Sequence, residues 1–332
     1  MRFSLGLLAG LCLLAAPAVL ALSDGPAVPS PYGAVSELER QDRRLAVISD
    51  RILAANAELC EERMPVTGMV LHSRDQYSTL PSPDPFAAGP LAVASVIQGG
   101  PADRASLRAG DIIVAIADTP VATLVPTPGK QLREAAFDLV AANQFGQVPL
   151  TIRRGDSDIA ITVNAPMGCR ALVEVRNESG TNARTDGRII QLTLDYMARL
   201  SDEEVAVSVA HELSHGILRH RARKDAAGIV VEGSARYSAR NMPINRVAEI
   251  EADRLSLHLL ANARYDPAAA AAWWRRRAAE TGPRSPLRQS IYPSHAERAA
   301  LLEEEMRRYL PSRRGPSWPG HLLDLRTRSF DD

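Results

Sequence analysis

Residues 211–215 read His-Glu-Leu-Ser-His. On a helix, His211 and His215 lie one turn apart on the same face, where two imidazoles can grip a single Zn²⁺. Glu212 stands beside them, placed to take a proton from a water that the metal activates. This is the chemistry of metal-assisted hydrolysis. The motif fixes only three residues, and chance puts it in roughly one chain per hundred of this length, so the elements around it have to support it.

They do so first on the motif's own helix. Ser201 and Glu204 have capping-box spacing, and Asp202, Glu203 and Glu204 place carboxylates in the first turn, where the helix dipole favours them. Val205, Val209, Leu213 and Ile217 form an apolar stripe, widened by Val207 and Ala210, so the helix is expected to be largely buried. A buried histidine needs a partner, and a metal ion is a good one. The cations Arg219, His220, Arg221, Arg223 and Lys224 read as a solvated helix end, not as a nucleic-acid patch.

Two histidines leave a zinc site incomplete. A third histidine six residues after His215, with a glycine at the third, would define a metzincin; those positions hold Arg221 and Leu218, which excludes it. The gluzincin arrangement takes its third ligand from a carboxylate on a later helix. Val247–Leu260 reads as that helix and carries Glu249, Glu251 and Asp253. Glu249 and Asp253 share a face at i,i+4, whereas Glu251 points about 160° away from Glu249. Glu249 is assigned as third ligand and Asp253 as the acceptor that orients a histidine ring. The plainer alternative is a charged helix in which Glu251 pairs with Arg254.

HExxH followed by ExxxD within a Glu-x-Glu-Ala-Asp-Arg string resembles the HtpX-like/CAAX prenyl endopeptidase family of zinc metallopeptidases, on its BepA-like periplasmic branch. Thr181–Leu194 is similar to the segment that forms the active-site edge strand in that family. Tyr265-Asp-Pro-Ala268 with Trp273, Trp274, Arg275 and Arg276 resembles the helix after ExxxD. Tyr292–Arg298 resembles its late His-Pro/Arg segment, with Ala296 where a proline is expected after His295. The resemblance covers roughly residues 170–310. It implies an α+β fold: a mainly helical gluzincin protease domain with a small active-site sheet. It also implies a peptide hydrolase holding one Zn²⁺ on His211, His215 and Glu249, with Glu212 as base. His295 is the leading candidate for an oxyanion donor or fourth ligand, and Tyr292 the second. The strand near Ile189–Leu194 would hold an extended substrate by β-augmentation.

The segment 62–168 resembles a PDZ domain of the bacterial protease-associated type, β-rich and separate. Gly99-Gly-Pro-Ala102 opens a short helix, Ala109–Ile116 closes it into a strand, and Gln131–Ala142 reads as the long helix. Val148, Leu150 and Ile152 alternate, as do Ile159, Ile161 and Val163, about a turn at Arg154–Ser157. Thr67-Gly68-Met69 is the candidate loop for capturing a peptide carboxylate. Cys60 and Cys169 flank this segment and are expected to form a disulfide.

Arg2 followed by the apolar run Phe3–Leu22, with Val19-Leu-Ala21, reads as a signal peptide over 1–21, the alternative being a retained membrane anchor. Cys12 lacks a lipoprotein context. The chain is therefore expected to be exported, periplasmic or envelope-associated, and soluble or in peripheral membrane contact. Residues 22–61 read as an N-terminal helical segment, with Ser36–Glu58 joining the export segment to the PDZ-like domain, and 311–332 as an irregular tail with Pro311, Pro316 and Pro319. Lys plus Arg and Asp plus Glu both total 39, so no charge excess invites nucleic acid. Two functions follow as expectations. The first is an exported zinc endopeptidase acting on unfolded or misassembled envelope proteins with PDZ-assisted selection. The second is a chaperone-like binding factor with a largely silent zinc site.

Overall fold

Alternation of Val148, Leu150 and Ile152 puts three apolar side chains on one face of a strand, and in the computed structural model all three are buried. The structure describes residues 37–77, 80, 84–180, 182–229, 238–280, 292–310 and 316–330. The signal-peptide reading of 1–21 lies outside them. Among the described residues, no helix is long and apolar enough to cross a membrane.

The chain is a mixed α+β protein. It opens with helix α1 (Glu37–Ala55) and a short strand β1 (Arg63–Pro65), then enters a sheet made of β2 (Met69–Ser73), β3 (Leu91–Val96), β4 (Ile112–Ile116), β5 (Thr119–Pro120), β6 (Gln147–Arg154) and β7 (Ser157–Asn164). The order is β2-β3-β4-β6-β7, with β5 paired to β4. Helices α2 (Pro101–Arg104) and α3 (Leu132–Ala141) cover it, and Pro101 sits at the start of α2 where its missing N–H costs nothing. Ala102, Leu107, Ile113, Ala136, Val140 and Val163 fill this core with the β6 residues.

Strand β8 (Met167–Cys169) returns beside β1, pairing Arg63 with Cys169 and Pro65 with Met167, so the two ends of the sheet domain run together. Cys60 and Cys169 are joined there, their Cα atoms 5.4 Å apart across a separation of 109 residues.

The second unit is mainly helical. Strands β9 (Leu172–Arg176), β10 (Ala183–Thr185) and β11 (Ile189–Thr193) form a three-stranded sheet in the order β10-β11-β9. Then come α4 (Leu194–Met197), α5 (Asp202–Ile217), α6 (His220–Ala226), α7 (Asn241–Asn262), α8 (Ala268–Glu280), α9 (His295–Tyr309) and α10 (Gly320–Leu323). Val205, Val209, Leu213 and Ile217 of α5 are buried, as their helical spacing requires. The capping box is present: Ser201 Oγ accepts from Glu204 N at 3.3 Å, and Ser201 N donates to Glu204 at 2.8 Å.

Three expectations need correction. Helix α1 does not merely lead into the sheet domain: Leu45, Ile48, Ile52 and Leu53 are buried in the same core as α5 and α7. Residues 316–330 are not irregular, because α10 buries Leu322 and Leu323 in that core. The edge strand is β10, at 183–185; Ile189–Thr193 is the central strand, flanked by β10 and β9.

Candidate metal centre

Helices α5 and α7 pack side by side and bring three donors together. His211 Nε2 lies 3.2 Å from His215 Nε2 and 3.4 Å from Glu249 Oε2, and His215 Nε2 lies 3.7 Å from Glu249 Oε1. Ligands about 2.05 Å from a tetrahedral ion are separated by about 3.3 Å. The three atoms therefore stand where one small cation would hold them. Their electrostatics agree. Among the described residues, the ion-pair partners of Glu249 within 4.0 Å are the two histidines. Burial by itself would raise Glu249, but the hydrogen bond and charge of His211 and the charge of His215 outweigh it and hold the carboxyl well below the usual range. Burial opposes charge on His211 too, yet its bonds to Asp253 and Glu249 prevail and raise it to about 10. Burial instead lowers His215 well below its ordinary value, so this imidazole is neutral, and two imidazoles with one carboxylate fit a divalent ion.

Each imidazole is aimed from behind. His211 Nδ1 lies 3.0 Å from Asp253 Oδ1, so the ring keeps a hydrogen there and Nε2 is the nitrogen that would give up its proton to a metal ion. Asp253 is fixed by Arg298 of α9, whose Nε donates to Oδ2 at 2.5 Å and whose Nη2 donates to Oδ1. The Arg298 guanidinium stacks 3.7 Å from the Trp274 ring centre, on α8. Thus Arg298 pairs directly with Asp253, while it and Lys224 act on Glu249 only at longer range.

Glu212 is buried beside the donors at 9 % exposure. Burial, reinforced by the charge of Glu249 and opposed by His211 and Arg298, pushes its carboxyl up to about 7. A base with that affinity can take a proton and give it back near neutral pH.

The donors open into a cleft of about 740 Å³ that Trp273, Arg277, Tyr292 and residues 182–187 also line. Gly216 lets α5 approach this wall closely, since a Cβ there would stand 3.1 Å from the Gly187 carbonyl oxygen. The free edge of β10 therefore runs along the cleft. Tyr292 and His295, both proposed from the sequence, part company. Tyr292 lines the cleft. His295 is buried at the start of α9 with its ring 5.2 Å from that of Trp274, outside the cleft lining.

The basic run after the motif is not the solvated helix end expected of it. Arg219 adopts a left-handed backbone, φ 55°, which ends α5 and starts α6 in a new direction. His220, Arg223 and Lys224 are consequently buried, not solvated. Glu251 pairs with His220 and Arg223, while Arg254 pairs with Glu305. A second His/Glu grouping, His258, Glu305 and His321, is closed by Arg254 and by Ser317 on His258 Nδ1, and it ties the C-terminal residues to α7 and α9.

The loop Thr67-Gly68-Met69 faces α1. It borders a small cavity of about 100 Å³ together with Asp42, Ser49 and Asp50. The Asp50 carboxyl borders the same cavity as Gly68, and the Met69 N–H reaches Thr67 Oγ1 at 3.3 Å. Below it, Arg133 of α3 forms a buried ion pair with Glu174 of β9, joining the two units.

A family profile for the PDZ domain matches residues 92–154, which span β3 through β6. PDZ domains bind peptides and protein C-termini, so the chain carries a protein-interaction module. A comparison with curated proteins finds no match.

Proposed function

We propose that the chain is a zinc-dependent endopeptidase of the HtpX-like/CAAX prenyl endopeptidase type, exported to the cell envelope, where its PDZ domain helps select protein substrates. The observation that carries the reading is the convergence of His211, His215 and Glu249 within 3.2–3.7 Å beside a buried Glu212. When bound, Zn²⁺ supplies a Lewis acid that polarises a carbonyl and acidifies water to a pKa of about 7.

The protein's own groups account for the remainder of the reaction. An extended peptide adds to the free edge of β10, whose backbone groups fix its register along the cleft. Glu212 accepts the proton of the attacking water and returns it to the leaving amine. Tyr292 is among the hydroxyl side chains on the cleft wall and is the one assigned to a developing oxyanion. Arg298 holds Asp253, and through it His211, in position. The PDZ match also favours a reading as a binding or chaperone-like factor; the two separate on Glu212, which binding alone does not need.

The test is cleavage of casein by purified chain beside Glu212→Gln, with zinc content measured in both. The proposal expects zinc in both and cleavage by the wild type, reduced at least about 100-fold in the variant. Zinc in both with cleavage in neither would support the binding factor instead.

A further inference from the structure

For His215 to offer its Nε2 to a metal ion, its hydrogen must stay on Nδ1. Asp253 does this for His211, because a carboxylate only accepts. The partner of His215 is another imidazole: its Nδ1 lies 2.8 Å from Nδ1 of His220. That contact alone is ambiguous, since either ring could donate across it.

The direction is decided one residue further out. His220 Nε2 lies 3.0 Å from Glu251 Oε2, and Arg223 Nη1 donates to the same oxygen at 2.7 Å. Paired with Arg223, Glu251 has only acceptor atoms, so His220 carries its hydrogen on Nε2 and its Nδ1 is bare. A bare Nδ1 accepts, and His215 must donate to it. The Nε2 of His215 is then left with a lone pair, facing His211 and Glu249. Water cannot substitute in this chain, because His220 is 2 % exposed and Glu251 7 %. Its outer end is covered by the C-terminal residues: Arg223 Nε donates to the Arg328 carbonyl at 3.1 Å, and its guanidinium lies 4.0 Å from the Phe330 ring centre.

We infer that Glu251 and His220 are positioning residues for the second imidazole ligand, fixing which nitrogen of His215 faces the metal although neither touches it. The inference rests on the zinc reading above. It separates the two carboxylates flanking Ile250: Glu249 binds, and Glu251 sets the tautomer from behind.

The experiment measures zinc affinity by competition with a chromogenic chelator and, in the metal-free protein, the ¹⁵N shifts of His215. Glu251→Gln lets an amide donate to His220 Nε2, which allows both rings to reverse. His220→Phe keeps a ring but removes the acceptor, and His220→Asn restores an acceptor oxygen near the Nδ1 position. The expected result is about a 10- to 100-fold weaker zinc affinity in Glu251→Gln and His220→Phe, with most of the loss recovered in His220→Asn. Wild-type His215 should show hydrogen on Nδ1. Wild-type affinity in His220→Phe, or hydrogen on Nε2 of wild-type His215, overturns the inference. A wild type that takes up no zinc defeats the zinc reading, and the nitrogen shifts still decide the relay.

Discussion

Asp50 offers the sharpest test of how the two units are joined. Its carboxyl lies on α1, and burial, only partly offset by the nearby Gly68 backbone, raises it from 3.8 to about 7. The sign follows from linkage. Between about pH 4 and pH 7 the unfolded chain has lost this proton and the folded chain has kept it, so stability falls as pH rises through that window and levels off above it. Each pH interval of one is worth about 1.4 kcal/mol, so ionised Asp50 weakens the fold by about 4 kcal/mol at pH 8. An asparagine at this position would keep the size and polarity of the side chain and would carry no charge. Asp50→Asn should therefore raise the unfolding free energy at pH 8 by roughly 2–4 kcal/mol and change it little at pH 4. Urea unfolding at both pH values measures this. Asp42 shifts in the same direction, to about 6, so the difference between variant and wild type is the quantity to compare. An equal effect at both pH values, or destabilisation at pH 8, would refute the reasoning.

Other consequences are direct. Arg133→Ala removes the closer guanidinium from buried Glu174, leaving Arg176 at 3.8 Å and the Gln191 amide, and should cost about 1–3 kcal/mol; a double variant replacing both with apolar residues should recover most of it in the same urea experiment. Replacing Cys60 and Cys169 with serine releases a 109-residue closure, worth up to about 5 kcal/mol in the chain-entropy model, read as a lower denaturation midpoint. Burial opposes the Glu305 charge, but hydrogen bonds from His258, Arg254 and His321 prevail and hold it at about 2. Its contribution of about 3 kcal/mol should be present above pH 4.5 and be lost as pH falls towards 2, a loss that Glu305→Gln should abolish. Tyr292→Phe should lower kcat on casein about 10- to 1000-fold with the fold intact, whereas His295→Ala should lower thermal stability instead.

The parts of this structure that were legible in the sequence are those fixed by local chemistry. The capping box at Ser201 and Glu204 and the apolar stripe from Val205 to Ile217 are one-helix properties, and they located α5. The i,i+4 spacing of Glu249 and Asp253 placed both on the face of α7 that meets His211. What escaped depends on chain reversals. Arg219 is an unusual residue for a left-handed turn, so nothing announced that α6 would swing His220 back onto His215. Glu251 was correctly turned away from Glu249, yet its partners came from that unseen reversal and not from its own helix. Arg298 lies 45 residues beyond Asp253, and only the packing of α9 on α7 makes them neighbours. The edge strand was assigned to the stronger apolar run, 189–193, because hydrophobicity marks the buried central strand better than the exposed edge beside it.

The central claim is that His211, His215 and Glu249 are the three ligands of one metal site. It is tested most directly by the zinc retained per chain after loading and exhaustive dialysis, measured for the wild type and for Glu249→Ala. The account predicts one zinc per wild-type chain and essentially none in the variant, with both proteins folded by circular dichroism. Equal retention by the two, or none by either, would contradict it.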